Sequence, residues 1–265
     1  MSYRILWPAM RWPDGRHIEE SSVAGHRAEF CERYTDVTDE QWANCDAVVS
    51  VNDIPEEYRQ KMTKCKIFVT PKVGFDNIAG KAWADMGIPL CNVPDYGTQE
   101  VADHAMALML SLMKGITFHT RELKQDPRGL WRPALNPFGK RLSACTFGVV
   151  GLGRIGTAAA LRAKAFGMDV VMYDPYRENG AELAVGIRRA HSLEDLFGQC
   201  DVVGLHLPVS SATDKRINAE VLSHATQGLK LVNHGRGPVR AVTGRGDGHR
   251  AGRGKAVRVE WVMQG

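Results

Sequence analysis

The chain is short of the features that most quickly assign a class. None of its six cysteines (Cys31, Cys45, Cys65, Cys91, Cys145 and Cys200) is spaced from another as a CxxC pair, so no zinc or other metal site is expected. Charge of one sign is also scarce. The formal net charge is +4 over 265 residues, too little for the basic face or stripe of a nucleic-acid binder. The N-terminal MSYRILWPAMRWPDG has no basic region followed by a long apolar run, so no signal peptide is expected. The most apolar window, residues 105–113, is far shorter than a membrane span. No internal repeat is present. These absences predict a cytoplasmic protein with reduced, mostly buried thiols and no nucleic-acid or membrane partner.

What is present is a core-forming α/β pattern. Hydrophobic residues make up 44% of the chain, and its length suits two linked domains. Short apolar runs at 3–7, 47–51, 66–70 and 88–93 read as strands, with helices at 55–62 and 77–86 between them. That alternation predicts a mostly parallel sheet covered on both faces. Residues 14–38 carry no clear pattern. A long helix is predicted after Gly97, because Val101, Ala105, Leu108, Met109 and Leu112 recur at helical spacing. His104 and His119 fall on it and read as structural. Residues 126–140 hold three prolines and two glycines and read as an irregular connection between domains. A second series then follows. Strands are predicted at 146–150, 169–173, 201–205 and 229–233, and helices at 154–166, 193–197 and 218–224. After Gly235 the composition shifts to Gly and Arg, with no usable apolar periodicity until Val257.

The central motif is Gly151-Leu152-Gly153-Arg154-Ile155-Gly156. A GxGxxG match alone says little, but this one follows an apolar strand (TFGVV) and opens a helix. An acid, Asp174, ends the next strand, 23 positions after Gly151. Each part has a physical task in holding a dinucleotide. Gly151 permits the tight turn, Gly153 leaves the pyrophosphate unobstructed, and Gly156 lets the helix pack closely on the strand. The helix N-terminus, with Arg154 and Ile155 in its first turn, offers N–H groups and partial positive charge to phosphates. The Asp174 carboxylate accepts hydrogen bonds from the adenosine ribose and repels a 2′-phosphate, which favours NAD over NADP. Arg177, just beyond it, reads as a solvated loop charge.

At this point the chain resembles the D-isomer-specific 2-hydroxyacid dehydrogenases, which include phosphoglycerate dehydrogenase, glyoxylate/hydroxypyruvate reductases and the C-terminal-binding proteins. The likeness runs from about residue 66 to 237. Its landmarks are VGFDNI (73–78), GIPLCNVPDYGTQEVADHA (87–105), GVVGLGRIG (148–156), AKAFGMDVVMYDPY (163–176), DVVGLHLP (201–208) and LVNHGRG (231–237). The resemblance implies two Rossmann-like α/β domains with parallel sheets, the substrate domain being incomplete here. The implied boundaries are 1–96 for the N-terminal part of the substrate domain, 97–237 for the NAD-binding domain and 238–265 for an atypical tail. It implies hydride transfer between NAD(H) and a small 2-hydroxy or 2-keto acid, and a homodimer formed through the cofactor domain. The alternative it offers is an NAD-responsive protein-binding module like the C-terminal-binding proteins.

The family uses an Arg, a Glu and a His. Arg236 matches the catalytic Arg, whose planar guanidinium suits a carboxylate. Lys72, Val73 and Gly74 match the loop that receives the substrate carboxylate. Leu207 and Pro208 match a cofactor-lining turn, and His234 stands beside the cofactor where the family usually has a small residue. His206 reads as structural. Beyond Arg236 the pattern breaks. The family runs RGxxVD, a helix, ALDV and then Glu, whereas this chain reads RGPVRAVTGRGDGHRAGRG. By count, Glu260 takes the place of the ALDV aspartate and Gly265 that of the catalytic Glu. A shifted reading frame or early stop is one explanation, and a genuine basic extension is the other. Either way the expected consequence is NAD binding with impaired turnover.

Overall fold

The computed structural model describes residues 1–10, 12, 15–125, 139–239, 249–251 and 255–261. It divides into two compact units, Met1–Tyr96 and Gly97–Gly265.

The first unit alternates strands and short helices: β1 (Arg4–Trp7), α1 (His17–Ser22), β2 (Arg27–Phe30), α2 (Asp39–Asn44), β3 (Ala47–Val49), α3 (Glu56–Arg59), β4 (Ile67–Thr70), α4 (Gly80–Asp85) and β5 (Leu90–Asn92). The sheet order is β2-β1-β3-β4-β5, every pair parallel. The direction of winding reverses between β1 and β3, the doubly wound arrangement that residues covering both faces predict. The start of α2 shows how sequence fixes an element. The Thr38 side chain accepts from the Gln41 amide while Gln41 reaches back to the Thr38 N–H, a capping box. The core is rich in rings. Trp42 and Trp83 are fully buried, Trp83 lies against Phe68 at 4.5 Å, and Tyr58 stacks on Trp42 at 5.3 Å.

The second unit opens with α5 (Thr98–Lys114) and α6 (Ile116–Gln125). The predicted single helix is broken because Gly115 takes a left-handed conformation (φ 65°) as the C-terminal cap of α5. There follow β6 (Thr146–Val150), α7 (Arg154–Ala165), β7 (Asp169–Tyr173), α8 (Ala181–Val185), β8 (Arg188–Arg189), α9 (Leu193–Gln199), β9 (Val202–Leu205), α10 (Ala219–Ser223), β10 (Lys230–Asn233), β11 (His249–Ala251) and β12 (Lys255–Trp261). The order is β11-β12-β10-β9-β6-β7-β8, parallel except for β11. The winding reverses between β6 and β9, so a crevice opens at their carboxyl ends. The proline-rich stretch read as a connection between domains falls inside this unit, with 126–138 outside the described residues. The Gly/Arg-rich composition does not keep the chain from the sheet, since β12 pairs with β10 and sets Glu260 beside Val232.

Candidate functional site: a dinucleotide crevice

The crevice is built by close approach of backbone to backbone. Gly151 follows β6 with φ +93°, a conformation natural to glycine. A Cβ there would stand 2.9 Å from the His206 carbonyl oxygen and 2.8 Å from Leu207 Cδ2. Gly156 lies in the first turn of α7. A Cβ there would overlap the Gly151 carbonyl oxygen and crowd Val149 Cγ1 at 3.3 Å, so no side chain fits. Gly153 caps α7 without a side-chain hydrogen bond, and a Cβ there would meet nothing within 4 Å. The three glycines therefore do different jobs. Two are demanded by the protein's own packing, and the third leaves open space above a helix N-terminus, with exposed Arg154 and half-buried Ile155 next in the turn.

Asp174 follows β7. Its Oδ2 accepts from the Leu152 amide and its Oδ1 from the Tyr176 amide, both at 2.9 Å. These two bonds aim the carboxylate across the glycine turn. Arg177, read from sequence as a solvated charge, is exposed, and it also donates from Nε to the Leu152 carbonyl at 2.8 Å and braces the same turn. Arg189 of β8 pairs with Glu182 at 2.8 Å and donates to the Glu178 carbonyl. Tyr173, Asp174, Pro175, Arg177, Asn179, Arg189, Ala190 and His191 line a cavity of about 230 Å³ at this end of the sheet.

The other wall comes from the turns after β9 and β10. His206 donates its amide to the Val150 carbonyl, and His234 donates its amide to the Leu205 carbonyl. The His206 ring folds over Gly204, where a Cβ would stand 2.8 Å from its Nε2. It lies parallel to the His234 ring at 6.4 Å, and His104 of α5 meets His234 edge-on at 5.4 Å. Both ring nitrogens of His206 and Nε2 of His234 are buried without a hydrogen-bond partner. Burial pushes the His206 pKa down to about 3, and burial together with neighbouring His104 pushes that of His234 to about 4. Both rings are therefore neutral at pH 7. The Pro208 carbonyl is tied down by the Thr213 hydroxyl at 2.6 Å.

Arg236 sits in a turn that sequence reading did not explain. Asn233 Oδ1 accepts from the Gly235 amide at 2.9 Å and its Nδ2 donates to the Arg236 carbonyl at 3.1 Å. A Cβ on Gly235 would be 2.5 Å from the Leu207 carbonyl oxygen. Asn233 and Gly235 thus position the Arg236 backbone against the Leu207 turn. Asn-x-Gly was the available signal, because an Asn side chain readily bonds the amide two residues on.

Within the first unit, Lys72, Val73 and Gly74 follow β4. Asn92 Nδ2 donates to the Val73 carbonyl at 2.8 Å, Val93 donates its amide to the Lys72 carbonyl, and Lys72 Nζ reaches Asn77 Oδ1 at 2.5 Å. Among the described residues no group of three or more His, Cys, Asp or Glu is placed to hold a metal ion. No helix among them is long and apolar enough to cross a membrane.

Parallel sheet, switch-point crevice, three-glycine turn and acid at the next strand end define a dinucleotide-binding Rossmann unit. Residues 106–241, about half the chain, match the family described as "D-isomer specific 2-hydroxyacid dehydrogenase, NAD binding domain". The chain belongs to the D-isomer-specific 2-hydroxyacid dehydrogenase family, and its second unit is that family's NAD-binding domain. It is 35% identical over 205 residues to a glyoxylate reductase of Korarchaeum cryptofilum, matching 76% of this chain and 60% of that protein. It is 30% identical over 183 residues to C-terminal-binding protein 1 of Caenorhabditis elegans, matching 68% of this chain and 25% of that protein. It therefore spans less than two thirds of the length of either relative. Among solved structures, D-lactate dehydrogenase from Aquifex aeolicus, complexed with NAD and lactic acid, superposes with a TM-score of 0.76 at 26% identity. The match covers 90% of this chain and 70% of that one.

Proposed function

We propose that the crevice binds NAD(H) in preference to NADP(H), and that the chain serves hydride transfer between NAD(H) and a small 2-hydroxy or 2-keto acid. The observation that carries this reading is the open space at Gly153 facing the N-terminus of α7, with the Asp174 carboxylate aimed across the same turn. The residues fit the cofactor: amides at the helix start take the pyrophosphate, Asp174 takes the ribose hydroxyls, and the Leu207–Pro208 turn and His234 line the far wall. Bound there, the nicotinamide supplies the hydride acceptor or donor. Arg236, held by the Asn233 clamp, presents a guanidinium for the substrate carboxylate. The loop of Lys72, Val73 and Gly74 is the carboxylate-receiving element of the first unit.

The Arg of the family's Arg–Glu–His set stands in its motif, while 238–265 departs from the family pattern. By count Gly265 stands where the family has the Glu that holds its general acid/base in the right charge state. The 265-residue polypeptide therefore binds cofactor well and turns substrate over poorly. A homodimer is proposed on α6, which buries none of its ten residues and exposes Ile116 and Leu123. A reducing cytoplasmic setting is proposed on six free thiols.

The test is fluorescence titration of the purified chain with NADH and NADPH, beside NADH oxidation with glyoxylate or hydroxypyruvate. The reading requires saturable NADH binding, weaker NADPH binding and little turnover. Asp174→Asn keeps an acceptor for the Leu152 amide but removes the charge, and should narrow the preference about tenfold, near 1.4 kcal/mol. Absence of NADH binding sinks the cofactor assignment, and robust oxidation sinks the claim of impaired turnover.

A further inference from the structure

Two of the cysteines, far apart in sequence, are brought into register by the first sheet. Ala47 of β3 pairs with Ile67 of β4, an offset of 20 residues. The same offset continues toward the N-termini of both strands. Lys66 donates its amide to the Asp46 carbonyl, and its Nζ reaches Asp46 Oδ1 at 3.0 Å. Lys64 Nζ reaches Asn44 Oδ1 at 2.7 Å, and the Thr63 hydroxyl donates to the Ala43 carbonyl at 3.0 Å. Cys45 and Cys65 occupy the position between these ties, side by side on the segments that lead into β3 and β4, and the Cys65 thiol donates to the Ile67 carbonyl at 3.4 Å. Neighbouring positions on adjacent strands lie about 4.8 Å apart, within the span that a disulfide bridges.

The two thiols are chemically unequal. Cys45 is fully buried in the ring-rich core, with Sγ toward the Trp42 carbonyl at 3.3 Å. Its pKa is raised, first by the neighbouring Cys65 thiol and then by burial. Cys65 is only half-buried, and the neighbouring Cys45 thiol, helped by the backbone at Ile67 and Val48, holds its pKa below the usual thiol value. Cys31, packed on the same core, is pushed the other way by burial and by Asp36 and Glu29.

We propose that Cys45 and Cys65 form a redox site in which a hydroperoxide oxidises Cys65 and Cys45 resolves it to an intramolecular disulfide. The Cys65 thiolate attacks the terminal peroxide oxygen. An S–O bond forms, the O–O bond breaks, and the departing hydroxide takes up a proton as water, or as an alcohol from an organic peroxide. The Cys45 sulfur then attacks the sulfenic sulfur. The S–S bond forms, the S–O bond breaks, and hydroxide leaves with the Cys45 proton as a second water. Both thiols are oxidised and one peroxide is reduced, and a dithiol reverses the change.

The test exposes the reduced 265-residue chain to hydrogen peroxide, blocks remaining thiols with an alkylating agent and maps peptides by mass. The expected result is a dithiothreitol-reversible Cys45–Cys65 crosslink, with Cys65 lost from the alkylated pool several-fold faster than exposed Cys91. Cys45→Ser should leave a sulfenic acid on Cys65 that dimedone traps, and Cys65→Ser should leave Cys45 reduced. If wild-type Cys45 and Cys65 stay alkylatable under peroxide that consumes Cys91, or if the crosslink joins other cysteines, the proposal is overturned.

Discussion

The two units share a doubly wound parallel plan but fill the space between helix and sheet differently. In the first, aromatic rings do the filling: Trp42 with Tyr34 and Tyr58, and Phe68 with Trp83 at 4.5 Å. Its helices run for four to six residues. In the second, α7 presents Ala158, Ala159, Ala160 and Ala163 to the core, and Gly148 of β6 leaves room for Cys200 and Leu196. Rings hold backbones apart, whereas alanine and glycine let them touch. Only the second arrangement brings the start of α7 onto the Gly151 turn, and that approach is what points helix amides at a phosphate. The contrast shows a fold whose packing residues are chosen by what its loops must grip.

The largest expected effect breaks the ring-filled core. Trp83 is fully buried and donates Nε1 to Asp53 Oδ1 at 2.9 Å. Trp83→Ala should destabilise the first unit by about 3–5 kcal/mol in denaturant titration, while NADH affinity below that transition holds. The glycine-filled core fails in the opposite direction, by overfilling. Gly156→Ala places a methyl on the Gly151 carbonyl oxygen and should cost about 3 kcal/mol, with loss of NADH binding in the same sample.

A pH series probes the histidines that only the second unit stacks. His206 and His234 are held neutral, with folded pKa values lowered to about 3 and about 4. The unfolded chain takes up protons near pH 6.5, so their contribution is complete above that value and is lost as pH falls toward the folded pKa values. Between pH 7 and pH 5 one such ring should cost the second unit about 2 kcal/mol. His206→Phe should flatten that dependence, as read by denaturation midpoints at the two pH values. An unchanged slope would mean the ring is not held neutral by the fold.

Much of this was legible in the sequence, and the exceptions have physical reasons. The strands around the glycine turn are unbroken apolar runs, so β6, β7, β9 and β10 read directly. β2 hides because its RAEF sequence puts Glu29 indoors, where Arg4 and Arg27 neutralise it. β8 is two arginines, invisible until Asp169 and Glu182 stand beside them. Within the site, the roles of Gly151 and Gly156 follow from sterics that a motif encodes. The Asn233 clamp, the approach of Gly235 to Leu207 and the pairing of Cys45 with Cys65 depend on turns and strand register, which only the folded chain provides. Likewise the reach of exposed Arg177 to the Leu152 carbonyl appears only in the folded chain.

Gly153→Ala tests the central claim most directly, because a Cβ there meets nothing in the protein within 4 Å. If the open space belongs to a pyrophosphate, stability should change by less than about 1 kcal/mol. NADH affinity, measured by calorimetric titration on the same preparation, should fall at least about tenfold, or 1.4 kcal/mol. Unchanged affinity in a folded Gly153→Ala chain would contradict the account, leaving the glycine turn as packing alone.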